Sequence, residues 1–224
     1  MLEAVIFDMD GVIMDSEPIH YETEFEILKR FGVTEYPIEE HAKYVGMRTR
    51  DLWDGHITKY GLDATSEELT VEGDEAYIGA LKENDFKPIA GLIDLLQRIK
   101  SGNIKMIVAS SASRENIKLV LDKFAISDFF EGYVSSQDVK KTKPNPDIFL
   151  LAAKTLEVNP ENCVVIEDAK HGVQAAVSAG MKCIGYRNQN SGNQDLSKAD
   201  IILDSHDDID LKLLEELTID VLKH

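Results

Sequence analysis

Ala4-Val5-Ile6-Phe7-Asp8-Met9-Asp10-Gly11 decides how this chain reads. Ala4 to Phe7 is short, apolar and rich in β-formers, which predicts a buried parallel strand. Asp8 and Asp10 stand two residues apart at its end, so they project to the same side. Two like charges that close repel, and burial worsens the repulsion. A compensating cation is required, and Mg²⁺ with oxygen ligands is the natural candidate. Taken alone, Asp-x-Asp-Gly also reads as an acidic turn capping the next element, since short motifs of this kind recur by chance.

Two further strand ends bear on that choice. Ile104 to Ala109 is apolar and stops at Ser110-Ser111. Cys163 to Ile166 is apolar and stops at Glu167-Asp168. Lys143 lies between them in Lys143-Pro144-Asn145-Pro146-Asp147. In open parallel sheets, ligands bind outside the carboxyl ends of the strands. Acid pairs, a hydroxyl and a lysine at one sheet edge would make a Mg-phosphate site. Glu167-Asp168 also reads as a helix N-cap, Lys143 as the last of an exposed cluster with Lys140 and Lys141, and Ser110, Ser111 and Ser113 as rival caps. Counting back from the helix marked by Ile117 favours Ser110 as the phosphate contact.

Asp8-x-Asp10-Gly11-Val12-x-x-Asp15-Ser16-Glu17, Ser110, Lys143-Pro144 and Glu167-Asp168, in that order, resemble the motifs of the haloacid dehalogenase superfamily. The similarity runs to about Asp204. Within the superfamily the chain is similar to the branch of small-molecule phosphatases and β-phosphoglucomutases with a helical cap inserted after the first motif. The resemblance implies Asp8 as nucleophile and Asp10 as general acid/base. It implies Ser110, or Ser111, and Lys143 as phosphate contacts. Mg²⁺ would be held by Asp8, the Asp10 carbonyl, Asp168 and, directly or through water, Glu167. His20 and the arginines Arg48 and Arg50, which flank Thr49, are candidate substrate contacts in the cap. His20 is equally compatible with a surface position, and both arginines with a solvated charge pair. Trp53 reads as cap core rather than a sugar platform.

Three features depart from the mutase pattern. Asp15-Ser16-Glu17-Pro18 stands where mutase-like members carry Asp-Thr, Thr70 to Glu75 is acidic where they carry a lysine, and Ala169 follows the last acid pair. The expected activity is hydrolysis of a small phosphate monoester, with a phosphohexomutase as the alternative. A non-catalytic phospho-acceptor module is a more distant one, because such a module has no use for a cap.

The insert is legible from its punctuation. Ser16 is a candidate N-cap and Pro18 falls in the first turn, where its missing N–H costs nothing. Tyr21, Phe25 and Leu28 mark one helix face, and Gly32 ends it. Helical segments continue to about Asp85, with breaks expected near Pro37, Gly46, Gly61 and Gly73. The expected division is a Rossmann-like core of 1–15 and 86–224 with an all-helical cap of 16–85. Helices from Gly91 to Lys100, around Ile117 to Phe124, around Ile148 to Ala152, and from His171 to Ala179 alternate with strands, including Met181–Tyr186 and Ala199–Leu203. That alternation predicts a doubly wound, mostly parallel sheet.

Composition sets limits. The 224 residues are 43% hydrophobic and 29% charged, ordinary for a globular chain. The net charge of −17 argues against nucleic acid, whose binding needs basic patches. It also repels anionic substrates at long range, so a phosphate site must supply local positive charge. Cys163 and Cys183 each fall in an expected strand and read as buried free thiols. No window approaches the ~18 apolar residues of a membrane span. Met1-Leu2-Glu3 lacks the basic start of a signal peptide, so a cytoplasmic protein is expected. The resemblance implies a small phosphorylated metabolite as its partner, and a monomer is expected.

Overall fold

Residues 1–44 and 49–219 are described by a computed structural model. Six parallel strands form one sheet: β1 (Ala4–Phe7), β2 (Lys105–Ser110), β3 (Tyr133–Ser135), β4 (Cys163–Glu167), β5 (Lys182–Tyr186) and β6 (Ile201–Leu203). Their order is β3-β2-β1-β4-β5-β6. Phe7 of β1 pairs with Val108 of β2 on one side and Ile166 of β4 on the other. The chain steps outward through β2 to β3, then returns past β1 to β4. The order therefore reverses between β1 and β4, where the flanking connections diverge and leave room for a ligand.

Both faces of β1 are covered, which explains its continuous apolar run. Ala4 and Ile6 join a core with Ile148, Phe149 and Ala152 of α7 (Asp147–Thr155) and Val173, Ala175 and Ala176 of α8 (Lys170–Ser178). Val5 and Phe7 are as fully buried on the other side. The helix α5 (Leu92–Ser101) packs on β2, and α9 (Leu211–Thr218) packs on β4. Leu92, Leu95, Leu96 and Ile99 are all buried, as their spacing predicts. The remaining helix of this unit, α6 (Arg114–Lys123), packs on β3. The expected doubly wound α/β class is the one the chain adopts. Cys163 and Cys183 are buried free thiols, and burial pushes Cys163 up to about 12. Among the described residues no helix is long and apolar enough to cross a membrane.

The chain divides into two compact units. One holds Met1–Asp15, Lys87–Gln189 and the stretch from Asn193 onward; the other holds Ser16–Phe86 with Asn190–Gly192. The second is helical: α1 (Glu17–Arg30), α2 (Ile38–His41), α3 (Thr49–Tyr60) and α4 (Ser66–Glu83). Its apolar core gathers Ile27, Leu28, Tyr36, Leu52, Trp53, Leu62 and Leu69. Trp53 is therefore a core residue.

This small core also buries a chain of polar groups. His41 lies 3.1 Å from Glu17 and 2.8 Å from Glu24. Tyr36 donates to Glu24 at 2.8 Å and lies 3.0 Å from His56 Nε2. Burial pulls the His41 imidazole down, but the two carboxylates outweigh it and raise it to about 9. Below that pH, His41 therefore ties α2 to α1 as a cation.

Two expectations about the insert fail for local reasons. Ser16 occupies the N-cap position of α1 with helical dihedrals, and its hydroxyl makes no capping bond. Gly73 does not break α4: the helix runs through it from Ser66 to Glu83, with Gly73 packed beside the Trp53 indole. At the other end of the helix the usual logic holds, with Thr65 and Glu68 forming a capping box.

Candidate active site

The backbone of β1 carries its ladder one residue past the strand, where Asp8 N–H donates to Ile166 carbonyl at 3.0 Å. The chain then turns sharply. The Met9 carbonyl accepts from the N–H groups of Val12, Ile13 and Met14, and Gly11 N–H donates to Met14 carbonyl at 2.7 Å. Gly11 has φ +76°, a left-handed conformation that favours glycine. Asp10 is carried on this closed turn, half-buried.

Lys143 reaches the end of β1 from the connection before α7. Its Nζ donates to Asp8 Oδ1 at 2.5 Å, to Glu167 Oε1 at 2.7 Å and to the Ala109 carbonyl at 3.2 Å. The side chains of Lys143, Asp8 and Glu167 are only 7%, 8% and 2% exposed. Lys143 is thus a placed lysine, distinct from exposed Lys140 and Lys141. The Lys143–Pro144 peptide is cis. Burial lowers the Lys143 ammonium, but Asp8 and Glu167 outweigh it and hold it above its ordinary value. Burial is also the largest influence on Asp8 and raises its carboxyl to about 8, with Lys143 pulling down and Glu167 and Asp10 pushing up. The Lys143 ammonium does not offset the loss of water around the buried Asp8 carboxyl.

Glu167 is locked from a second side. Its Oε2 accepts from Ala169 N–H at 2.7 Å, and Ala169 is the N-cap residue of α8. Neither Glu167 nor Asp168 is therefore the helix cap. Asp168 is buried beside it, at the start of the connection to α8. Gly172 lies one turn into α8, and a Cβ there would overlap the Glu167 carboxylate. Gly172→Ala is expected to displace Glu167 from Lys143, lowering the melting temperature and cutting activity at least tenfold. Thermal melts and steady-state rates check this; unchanged values for both would contradict it.

The three serines separate. Ser113 caps α6, accepting from Asn116 N–H at 3.3 Å. Ser111 is exposed. Ser110 is fully buried at the end of β2, where its Oγ accepts from Ala112 N–H at 3.0 Å. It follows Ala109, whose carbonyl accepts a hydrogen bond from Lys143, so Ser110 is the serine at the same sheet edge as Asp8.

Among the described residues, no three His, Cys, Asp or Glu side chains are already gathered as a metal cage. Mg²⁺ retains several waters and takes few protein carboxylates, so it needs no cage. The donors at this edge are all oxygens, which suits a hard cation. The upward push on Asp8 is the kind a nearby cation reverses. The residues present therefore fit Mg²⁺.

The insert residues behave differently. His20 is half-buried within the helical unit, stacked on Tyr77 at 4.3 Å with ring planes 5° apart. Asp74 is near it: burial raises that carboxyl and His20 pulls it back. Arg50 is exposed in the first turn of α3. Arg48 lies outside the described residues. Glu72 is ion-paired with Arg30.

Several parts of this edge carried little sequence signal. The Ala109 carbonyl is backbone, and β3 is three residues long, too short to show alternation. Gly172 could have been flagged, because an isolated glycine inside a helical pattern often has a packing reason.

The chain belongs to the haloacid dehalogenase-like hydrolases, whose family pattern matches residues 5–186. It is 34% identical to a phosphorylated carbohydrates phosphatase of Thermotoga maritima over 187 residues, 82% of this chain and 84% of that protein. It is also 34% identical to β-phosphoglucomutase of Bacillus subtilis over 223 residues, 96% of this chain and 95% of that protein. A crystal structure of β-phosphoglucomutase from Clostridium difficile is similar with a TM-score of 0.79 and 32% identity, covering 97% of each chain.

Proposed function

We propose that this protein is a Mg²⁺-dependent phosphohydrolase acting on a small phosphate monoester, a sugar or polyol phosphate, through an aspartyl-phosphate on Asp8. The observation that carries the reading is Lys143 Nζ held 2.5 Å from Asp8 and 2.7 Å from Glu167 at the point where the strand order reverses. An ionised carboxylate needs no base to act as a nucleophile, but it repels a phosphate. Lys143 supplies the local positive charge that a chain of net charge −17 otherwise lacks.

An Asp8 oxygen attacks phosphorus, and the bond from phosphorus to the ester oxygen breaks. Asp10, protonated, gives its proton to the leaving alkoxide. As a carboxylate it then takes a proton from the water that attacks the phosphoryl group. The bond between Asp8 and phosphorus breaks, releasing inorganic phosphate and restoring both acids. Ser110 hydrogen-bonds a phosphoryl oxygen, and Lys143 holds another. Asp8, the Asp10 carbonyl, Asp168 and, directly or through water, Glu167 would hold Mg²⁺, which when bound would supply charge neutralisation between nucleophile and phosphate.

Hydrolysis is favoured over mutase chemistry by the helical unit. A mutase retains a bisphosphate and needs a cation for its second phosphate. The segment Thr70 to Glu75 is acidic and supplies no cation where mutase-like members carry a lysine. The likeness to β-phosphoglucomutases keeps isomerisation as the second reading. A panel of sugar and polyol phosphates, run beside β-glucose 1-phosphate, separates the two. Phosphate release is expected without a bisphosphate primer, abolished by EDTA, restored by Mg²⁺ and poorly supported by Ca²⁺, whose larger, looser coordination misplaces the nucleophile. Full activity in excess chelator contradicts the metal assignment. Primer-dependent isomerisation with negligible phosphate release contradicts the phosphatase reading and installs the mutase.

A further inference from the structure

Beyond β6 the chain forms a short turn through Ser205 to Ile209, which the proposed chemistry does not use. His206 in this turn is fully buried. Its Nε2 lies 2.8 Å from the Val12 carbonyl. A carbonyl can only accept, so Nε2 bears the proton and donates. The other nitrogen, Nδ1, is buried and makes no hydrogen bond among the described residues. Burial lowers the imidazole below its ordinary pKa, against the Val12 bond and Asp207, in keeping with a neutral ring.

The ring and its backbone are both held. Tyr186, the last residue of β5, stacks on the imidazole at 4.4 Å with planes 15° apart. Arg98 of α5 donates through Nη2 to the carbonyls of His206 at 2.9 Å and Ile209 at 3.2 Å. Gly91, at φ +79°, runs so close that a Cβ there would stand 2.7 Å from Asp207 Oδ1 and 3.2 Å from His206 Cβ. The imidazole is thus a fixed donor presented by the sheet and α5.

What it grips is the turn that carries Asp10. Three N–H groups converge on the Met9 carbonyl and Gly11 is tied to Met14, so residues 9–14 form one closed piece. Asn188 donates to the Gly11 carbonyl at 3.2 Å from the chain after β5. Ile89 N–H donates to the Ile13 carbonyl at 3.0 Å. Val12 is held by His206 between these two anchors, two residues from Asp10.

We infer that His206 is a positioning residue: its Nε2–H bond to the Val12 carbonyl holds the Met9–Met14 turn and so sets where the Asp10 carboxyl points. This rests on the reading of Asp10 as the general acid/base. Removing the donor leaves a buried carbonyl without that partner and frees the turn to shift. A misplaced acid matters most when the leaving group is a poor one. An alkoxide from a sugar phosphate needs the Asp10 proton; a nitrophenolate needs little help.

The test compares kcat/KM for p-nitrophenyl phosphate and for the best hexose phosphate of the panel, which reports through the transfer to Asp8. His206→Phe keeps a ring to stack on Tyr186 and loses the donor. His206→Gln keeps a donor of similar reach. His206→Phe is expected to lose about tenfold or more on the hexose phosphate and less than about threefold on the aryl ester, and His206→Gln to recover the hexose phosphate rate to within about threefold. Equal losses on both esters, or no loss on either, overturn the inference, because a purely structural role lowers both alike. Should His206→Phe not fold, His206→Asn, too short to reach Val12, carries the same expected selectivity. A wild type that hydrolyses neither ester, or an Asp10→Asn variant that keeps the hexose phosphate rate, removes the acid/base reading and this inference with it. Asp10→Asn sensitivity without selectivity in the His206 variants removes this inference alone.

Discussion

Asp8→Asn is expected to lower turnover by roughly three to six orders of magnitude, the scale seen when a covalent nucleophile is removed. The amide has nearly the shape of the carboxylate, so packing at the end of β1 is kept. Lys143 retains Glu167 at 2.7 Å and the Ala109 carbonyl at 3.2 Å as acceptors. Burial, Glu167 and Asp10 all disfavour a charge at position 8, so the neutral amide should leave the melting temperature equal or higher. A loss of activity with an undiminished melt separates chemistry from folding. Steady-state rates near wild type would contradict the assignment of Asp8.

Lys143→Met is the other substitution with a large expected effect, and it strikes both stability and activity. Removing one partner from a buried ion pair costs about 3–5 kcal/mol in typical cases, because the remaining charge is left uncompensated. Here Asp8 and Glu167 would both be left, and the pH dependence shows which way the system escapes. Burial raises the Asp8 carboxyl to about 8 in the folded chain against an ordinary 3.8. The unfolded chain ionises first as pH rises, so this group favours folding at acid pH, and its contribution is lost as pH climbs from about 4 through about 8. Without Lys143 the loss should be steeper and extend higher. Mg²⁺ should flatten it in the wild type by favouring the ionised form. Melts at pH 5 and pH 8, with and without Mg²⁺, check the sign. A Lys143→Met variant that gains stability over that range would contradict the arrangement. Activity of the variant is expected to fall at least about a hundredfold, the scale of losing one fixed charge-stabilising donor.

What the sequence made legible follows from where physical constraints are local. Ala4 to Phe7, Met106 to Ala109 and Cys163 to Ile166 are buried on both faces, so each shows as an unbroken apolar run ended by a polar residue. That is enough to find the sheet and the edge where Asp8, Ser110 and Glu167 lie. Leu92, Leu95, Leu96 and Ile99 repeat at helical spacing because α5 has one buried side. Contacts made across the fold left no such trace. His206 is one histidine in an acidic stretch, and its bond to Val12 joins residues 194 apart in sequence. Ser16 looks like a cap by type, yet its hydroxyl caps nothing, because residue type reports propensity and not the geometry reached. The tail helix α9 was not among the expected elements; Asp210 caps it through Leu213 N–H and Leu214 is buried one turn on. The buried chain from Glu17 through His41 and Glu24 to Tyr36 and His56 was invisible, because each member comes from a different turn or helix.

Mass spectrometry of the protein quenched in acid during turnover tests the central claim most directly. With p-nitrophenyl phosphate, whose leaving group needs little help from an acid, an Asp10→Asn variant keeps the first step but lacks the base for the attacking water, so the covalent intermediate should accumulate. The expected result is a phosphoryl group on the peptide containing Asp8, absent without substrate and absent in Asp8→Asn. A phosphoryl group on any other residue, or none on Asp8 while substrate is being consumed through a detectable covalent intermediate, would contradict it.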